Sequence, residues 1–169
     1  GNSVQENATS GTIVGDLSAI DPDHSDTHSY QVVGDSPFEV VGGQLVVKEG
    51  ATLNFEDASS VDVQIQVTDS SGGTSTKTFT INVTDVNEGP HANNDTGSAQ
   101  EGTGSVAFDV LANDTDPDGD TLSLTEAHIT DGAGSVSIVD GKIVFNPDES
   151  HNNLAEGETA NVTVSYTVT

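Results

Sequence analysis

The chain has 169 residues and is strongly acidic: 28 aspartates and glutamates stand against three lysines, giving a formal net charge of −25 at pH 7. So few cations cannot displace the counterions of phosphates, which excludes nucleic-acid binding and disfavours an anionic membrane surface. Cysteine, methionine and tryptophan are absent, which excludes a disulfide framework and thiol chemistry. No apolar run reaches the length of a spanning helix, so membrane insertion is not expected.

Every convincing periodic segment predicts a β-strand. In the first half, apolar and polar residues alternate within short segments that turns rich in Gly, Ser and Asp separate. Helical periodicity with caps is not evident. We therefore predict an all-β chain built from Greek-key β-sandwiches. The expected strands of the first half are 11–17, 29–33, 38–41, 44–47, 61–67 and 76–83.

The second half repeats the plan of the first. Fifteen residues separate Glu6 from Asp21, and the same interval separates Glu101 from Asp116. Equal spacing of like residues indicates duplication, so we predict two tandem sandwiches, residues 1–88 and 89–169.

The two halves differ at their ends. Val63–Thr68 matches Val164–Thr169, and in the first half a further strand follows this segment. The sequence predicts that the second sandwich lacks its last strand and has an exposed edge. It also predicts that the first sandwich has no clear leading strand. An alternative is that a ligand-binding domain is inserted into the second sandwich in the parent chain.

A short acidic segment joins the two predicted sandwiches. Asp85, Asn87 and Glu88 place three oxygen-bearing side chains within four residues, and Pro90 prevents continuation of the preceding strand. Acidic groups this close repel each other unless a cation lies among them.

An Asp-rich loop at 114–120 is the sharpest local motif. Its carboxylates at alternate positions and its glycine suit calcium, which takes about 6 to 8 oxygen ligands. An EF-hand is excluded because the twelfth loop position holds Thr125 instead of the required glutamate, and because 122–124 is predicted to be a strand. The loop therefore needs ligands from elsewhere in the fold.

The first half resembles bacterial cadherin-like repeats of large secreted adhesins. Five motifs of that family follow in order: Glu6 in Val4–Asn7, Ala19–Asp23, Leu53–Glu56, Asp69, and the linker Asp85–Pro90. The second half resembles cadherin-like or immunoglobulin-like repeats of bacterial surface proteins, with Asp109–Asp114 leading into its Asp-rich loop.

The resemblance implies Ca²⁺ at the junction between the two sandwiches. The implied ligands are Glu6, Glu56, Asp85, the carbonyl of Val86, Asn87, Glu88, Asp116 and Asp118. Departures from the family pattern at Asn54, Glu88 and Gly89 predict fewer or weaker ions. Less direct candidates are Asp21, Asp23 and Asp69, which would face a preceding repeat, and Glu101, which would serve a further site.

Two functions stay open. The first is a set of calcium-stiffened stalk repeats of an extracellular bacterial adhesin, monomeric and in contact with neighbouring repeats of the same chain. The second is a calcium-dependent carbohydrate-binding module, or one for another cell-surface ligand. Catalysis is not expected, because the chain lacks the aromatic-lined pair of carboxylates of a glycosidase, a Ser-His-Asp order and a phosphate loop. The five histidines lack the paired spacing of zinc ligands.

Overall fold

The structure is a computed structural model that describes residues 2–20 and 27–169. It divides into two compact units, Gly1–Val86 and Asn87–Thr169. Within the described residues the regular elements are twelve β-strands and one five-residue 3₁₀-helix, Glu149–Asn153, so the predicted all-β class is confirmed. None of the described segments forms a helix of the length and apolarity needed to cross a membrane.

Within its described residues, unit 1 (residues 1–86) has seven strands in two sheets. One sheet has the strand order β1-β7-β6-β3 and the other has the order β2-β5-β4. The strands are β1 (Ser3–Gln5), β2 (Ile13–Asp16), β3 (His28–Val33), β4 (Phe38–Val41), β5 (Gln44–Val47), β6 (Ser60–Asp69) and β7 (Thr74–Thr84).

The apolar residues of alternating strands converge on one core in unit 1. Along β6 the inward side chains Val63 and Ile65 are 1% and 5% exposed, whereas the alternate residues Asp62 and Gln64 are exposed. This period-two pattern is what buries one face of an antiparallel sheet. The buried cluster comprises Val4, Val14, Phe38, Leu45, Val47, Leu53, Val63, Ile65, Ile81 and Val83.

The expectation that unit 1 has no leading strand is wrong. β1 pairs in parallel with β7, in the register Val4 with Val83. Three residues are too few for periodicity to reveal a strand, and the partner lies about 80 residues further along the chain. Val4 contributes to the core, at 6% exposed.

Unit 2, residues 87–169, contains five strands. One sheet has the order β10-β11-β8, and the strands β12 and β9 form a second sheet. The strands are β8 (Val106–Phe108), β9 (Leu124–Asp131), β10 (Ser135–Val139), β11 (Lys142–Asn146) and β12 (Thr163–Val168). The strand predicted at 122–124 begins only at Leu124.

The pairings of the five strands of unit 2 repeat those of five strands of unit 1. The hairpin β10–β11 with β8 at its side corresponds to β4–β5 with β2, and the antiparallel pair β12–β9 corresponds to β6–β3. β6 pairs with β7 as well, whereas in the described part of unit 2 β12 pairs only with β9. Unit 2 also buries fewer apolar side chains than unit 1. Among its described apolar residues, only Val110 and Ile143 are buried.

Candidate metal centre

Glu6 is the best-organised acidic residue of unit 1. It follows β1 directly and is only 2% exposed. Its Oε1 accepts a hydrogen bond from the backbone N–H of Val86 at 2.8 Å, and its Oε2 accepts one from the N–H of Phe55 at 2.9 Å. Charge-assisted bonds of this kind compensate a buried carboxylate for its lost water. The side chain therefore has a fixed position where three chain segments meet.

Two further carboxylates of unit 1 lie close to this position. A carboxylate oxygen of Glu56 lies within 4.8 Å of one of Glu6, and oxygens of Glu56 and Asp85 also approach within 4.8 Å. Glu56 and Asp85 are both exposed. Asn54, which stands where the family has aspartate, caps a turn by accepting a 2.8 Å bond from the N–H of Asp57.

Proximity of these acidic groups is unfavourable without a counter-ion. Two unit charges about 4 Å apart repel by about 1 kcal/mol in water and about 4 kcal/mol near a protein surface. Carboxylate and backbone oxygens are the donors that Ca²⁺ prefers, and they are the donors present here. The chemistry of this end of unit 1 therefore fits a hard cation.

In unit 2 the Asp-rich loop is folded around Asp116. Its Oδ1 accepts the N–H of Asp118 at 3.0 Å and that of Asp120 at 3.3 Å. Gly119 has a positive φ of 76°, which an L side chain rarely adopts, and its N–H donates to the Asp116 carbonyl at 3.2 Å. The glycine thus allows the tight turn that brings the carboxylates of the loop together.

Asp118 connects this loop with the start of unit 2. Its Oδ2 accepts the backbone N–H of Glu88 at 2.7 Å. Asn87 donates its side-chain amide to the Glu88 carbonyl at 2.9 Å. The structure therefore brings Glu88, Asp116 and Asp118 together, as it does Glu6, Glu56 and Asp85 in unit 1. Val86 contributes its N–H to Glu6, and a ligand role for its carbonyl stays a prediction.

Four further candidate ligands were predicted from the sequence. Asp21 and Asp23 lie outside the described residues. Asp69 organises the turn between β6 and β7, where its Oδ1 accepts the N–H groups of Ser71 and Gly73 at 2.8 Å. Glu101 is exposed in a turn of unit 2. Metal ligation by these four residues stays a prediction.

Sequence reasoning missed a polar cluster in unit 2. Asp114 is 8% exposed, and its Oδ1 accepts the N–H of Asn93 at 2.7 Å. The hydroxyl of Tyr166 lies 2.7 Å from Oδ2 of Asp95 and 3.0 Å from the Asn93 carbonyl. Burial raises the pKa of Tyr166, and the carboxylates of Asp95 and Asp114 raise it further. The signal in the sequence was weak, because Asp95 and Tyr166 are 71 residues apart.

Comparisons with known proteins agree with this fold. Residues 87–169 match the model of a family described as bacterial Ig domain. No curated protein matches the chain in sequence.

Solved structures similar to the chain are cadherin domains. A crystal structure of human protocadherin-24 EC1-2 aligns with a TM-score of 0.62 and 23% identity over 99% of this chain and 91% of that one. A second crystal structure of the same human fragment gives a TM-score of 0.58 and 24% identity over 98% and 89%. A crystal structure of mouse cadherin-23 EC22-24 aligns with a TM-score of 0.56 and 18% identity over 99% of this chain and 61% of that one. The predicted resemblance to bacterial cadherin-like repeats is thus confirmed: the fold is cadherin-like, and residues 87–169 match a bacterial Ig domain.

Proposed function

We propose that the chain is a pair of structural repeats from an extracellular bacterial surface adhesin, in which calcium stiffens the junction between the repeats. The observation that carries this proposal is the buried carboxylate of Glu6, which the N–H groups of Phe55 and Val86 hold beside Glu56. A fixed acidic residue among other acidic residues is a ready ligand for a divalent cation.

Chain connectivity supports a site shared by the two repeats. Asp85 belongs to unit 1 and Glu88 to unit 2, and three peptide units span at most about 11 Å. The acidic groups of unit 1 and of the 116–118 loop are each bonded to this linker, through Val86 and Glu88. Calcium bound by both groups would replace their repulsion with attraction and resist bending. The residues that would hold it are Glu6, Glu56, Asp85, the Val86 carbonyl, Asn87, Glu88, Asp116 and Asp118.

The structural role is favoured over carbohydrate binding. Sugar sites present aromatic platforms to solvent, and all seven aromatic side chains of this chain are buried or half-buried. Phe38 is 2% exposed, and Tyr30, Phe55 and Phe79 pack against the core. Cadherin-like and bacterial Ig-type folds, a repeated topology and high acidity all suit a stalk that holds another domain away from the cell.

Calorimetric titration with calcium tests the shared site. We expect Glu56→Gln and Asp118→Asn each to weaken the same binding event by about tenfold or more, which corresponds to about 1.4 kcal/mol. Asp140→Asn is the matched control: it removes an acidic charge from a hairpin turn of unit 2, where the positive φ of 50° suits asparagine. A loss of affinity in only one of the two variants would contradict a shared ion.

Small-angle scattering tests the stiffening. We expect a narrower distribution of particle dimensions with calcium than with a chelator, and a smaller difference for Asp118→Asn when calcium is held near the dissociation constant of the parent chain. Particle dimensions that do not change on chelation of the parent chain would contradict the proposed role, even if calcium binds.

A further inference from the structure

Asp114 of unit 2 is a buried carboxylate with only one of its oxygens bonded. The residue is 8% exposed, and its Oδ1 accepts the backbone N–H of Asn93 at 2.7 Å. Its Oδ2 is shielded from solvent and has no hydrogen-bond partner among the described residues. A buried charge is costly unless hydrogen bonds or an opposite charge compensate it, so this oxygen requires a partner.

A second carboxylate lies beside the same polar cluster. The hydroxyl of Tyr166 lies 2.7 Å from Oδ2 of Asp95 and 3.0 Å from the carbonyl oxygen of Asn93. Burial raises the pKa of Tyr166, and the negative charges of Asp95 and Asp114 raise it further, so both carboxylates lie near this hydroxyl. Asn93 joins the two groups, since its N–H bonds to Asp114 and its carbonyl accepts from Tyr166.

The one lysine of unit 2 is engaged elsewhere. Lys142 bonds to the carboxylate of Asp109 at 3.0 Å. A water molecule could donate a hydrogen bond to Oδ2 of Asp114, but it would leave the negative charges of Asp95 and Asp114 in place. A bound cation would both satisfy the oxygen and compensate the charges. The cluster therefore fits a cation better than a water molecule.

Unit 1 has apolar residues at the matching sequence positions. By the equal spacing of the two halves, Ala19 corresponds to Asp114. By the match between β6 and β12, Ile65, which is 5% exposed, corresponds to Tyr166. Apolar residues thus suffice for the sandwich that both units share, so packing alone does not account for the polar groups of unit 2.

We propose that Asp95, Asp114 and the carbonyl oxygen of Asn93 bind a calcium ion within unit 2. Carboxylate and carbonyl oxygens are the donors that this cation prefers, and water would complete its about 6 to 8 ligands. Tyr166 positions Asp95 through its hydrogen bond. The site is separate from the ion proposed between the repeats, because none of its three residues belongs to that set. An ion here would tie the first residues of unit 2 to the Asp-rich loop.

Terbium luminescence in the whole chain tests the site. Tb³⁺ occupies oxygen-lined calcium sites and emits light when a nearby tyrosine transfers its excitation energy to the ion. We expect tyrosine-sensitised emission in the parent chain and in Tyr30→Phe, and loss of most of that emission in Tyr166→Phe. Calcium added to the Tb³⁺-loaded chain should displace the probe and remove the emission.

Three substitutions separate this site from the shared one. Asp114→Asn keeps the size of the side chain and removes its charge, so we expect the Tb³⁺ affinity seen through Tyr166 to fall by about tenfold or more. Asp118→Asn is the matched control and should leave that affinity unchanged. Asp95→Asn should act like Asp114→Asn, and because Asp95 is exposed it provides the test even if the buried substitution disturbs the fold. Circular dichroism checks the fold of each variant.

Three results would overturn the proposal. Absence of emission through Tyr166 would mean that water satisfies Asp114. Emission that is lost in Asp118→Asn but kept in Asp114→Asn and Asp95→Asn would place the ion in the 116–118 loop. Emission that none of the three substitutions weakens would indicate an adventitious ion only. The shared site is judged separately, by the calorimetric event that Glu56→Gln weakens and that Asp114→Asn should leave unchanged.

Discussion

Units 1 and 2 share one strand topology but differ in what covers their sheets. In unit 1 the strand β7 lies between β1 and β6, and ten apolar side chains form a buried cluster. In the described part of unit 2 no strand takes that place, and only Val110 and Ile143 are fully buried apolar residues. Because burial of apolar surface is the main source of stability, we expect unit 1 to be the more stable of the two units.

The largest expected effect comes from removing core aromatic rings. Phe38→Ala in unit 1 should lower the free energy of unfolding by about 3 to 5 kcal/mol, because the ring is 2% exposed. Phe108→Ala in unit 2, where the ring is half-buried, should cost about half as much. Each unit contains one tyrosine, Tyr30 or Tyr166, so urea unfolding followed by tyrosine fluorescence in single-tyrosine variants reports each unit separately. Equal losses would contradict the difference in core packing.

Calcium should stabilise the two units unequally. If unit 2 unfolds first, the calcium that we propose to be shared by both units would be released at that step and could not stabilise unit 1 further. Calcium at one hundred times its dissociation constant should then stabilise the transition reported by Tyr166 by about 2.7 kcal/mol and leave the Tyr30 transition in place. The measurement is urea unfolding with calcium and with a chelator. A shift of the Tyr30 transition alone would mean that unit 1 is the weaker unit.

Glu6 should stabilise unit 1 even without calcium. Glu6→Ala leaves the N–H groups of Phe55 and Val86 without their Glu6 acceptor. We expect the free energy of unfolding of unit 1, reported by Tyr30 in the presence of a chelator, to fall by about 1 to 3 kcal/mol. Glu56→Gln is the control, since it changes a neighbouring exposed carboxylate. If Glu6→Ala changes only calcium affinity, its hydrogen bonds do not stabilise the fold.

Tyr166 should make the stability of unit 2 depend on alkaline pH. Burial and the nearby Asp95 raise its pKa in the folded unit above the ordinary value of 10.0, so the folded state holds the proton more tightly than the unfolded chain. This stabilisation is complete below pH 10 and is lost as the pH rises towards the folded pKa. Tyr166→Phe should remove that pH dependence and cost about 1 kcal/mol at neutral pH.

The measurement for Tyr166 is thermal unfolding followed by circular dichroism between pH 7 and alkaline pH, with Tyr30→Phe as the matched control. An identical pH profile for the Tyr166→Phe variant and the parent chain would show that the hydroxyl does not couple to folding.

Local periodicity predicted most strands of unit 1, because they bury one face, whereas the plan of unit 2 was inferred from the sequence repeat. The hairpin strands Phe38–Val41 and Gln44–Val47 were predicted with their observed bounds. β1 was missed because it has three residues and a distant partner. No local pattern distinguishes a strand of that length from a loop.

The proximity of some candidate ligands could be inferred from the family motifs, whereas metal ligation by them stays a prediction. The motifs identified Glu6, Glu56 and Asp85 as neighbours, and the structure brings their carboxylates close. The sequence could not indicate that Glu6 is buried and bonded to two backbone N–H groups, since those contacts depend on chain packing over 49 and 80 residues. The Tyr166–Asp95 bond was missed for the same reason.

The parallel pairing of β1 with β7 bears on how unit 1 would carry mechanical load. Tension applied at Ser3 and at Thr84 pulls two parallel neighbouring strands in opposite directions along their axes, so the backbone hydrogen bonds between them are loaded together in shear. The bond from Val86 to Glu6 continues this contact beyond the strands. If the chain serves in the stalk that we propose, this short pair would be a mechanical clamp that slides as a whole before the core of unit 1 opens.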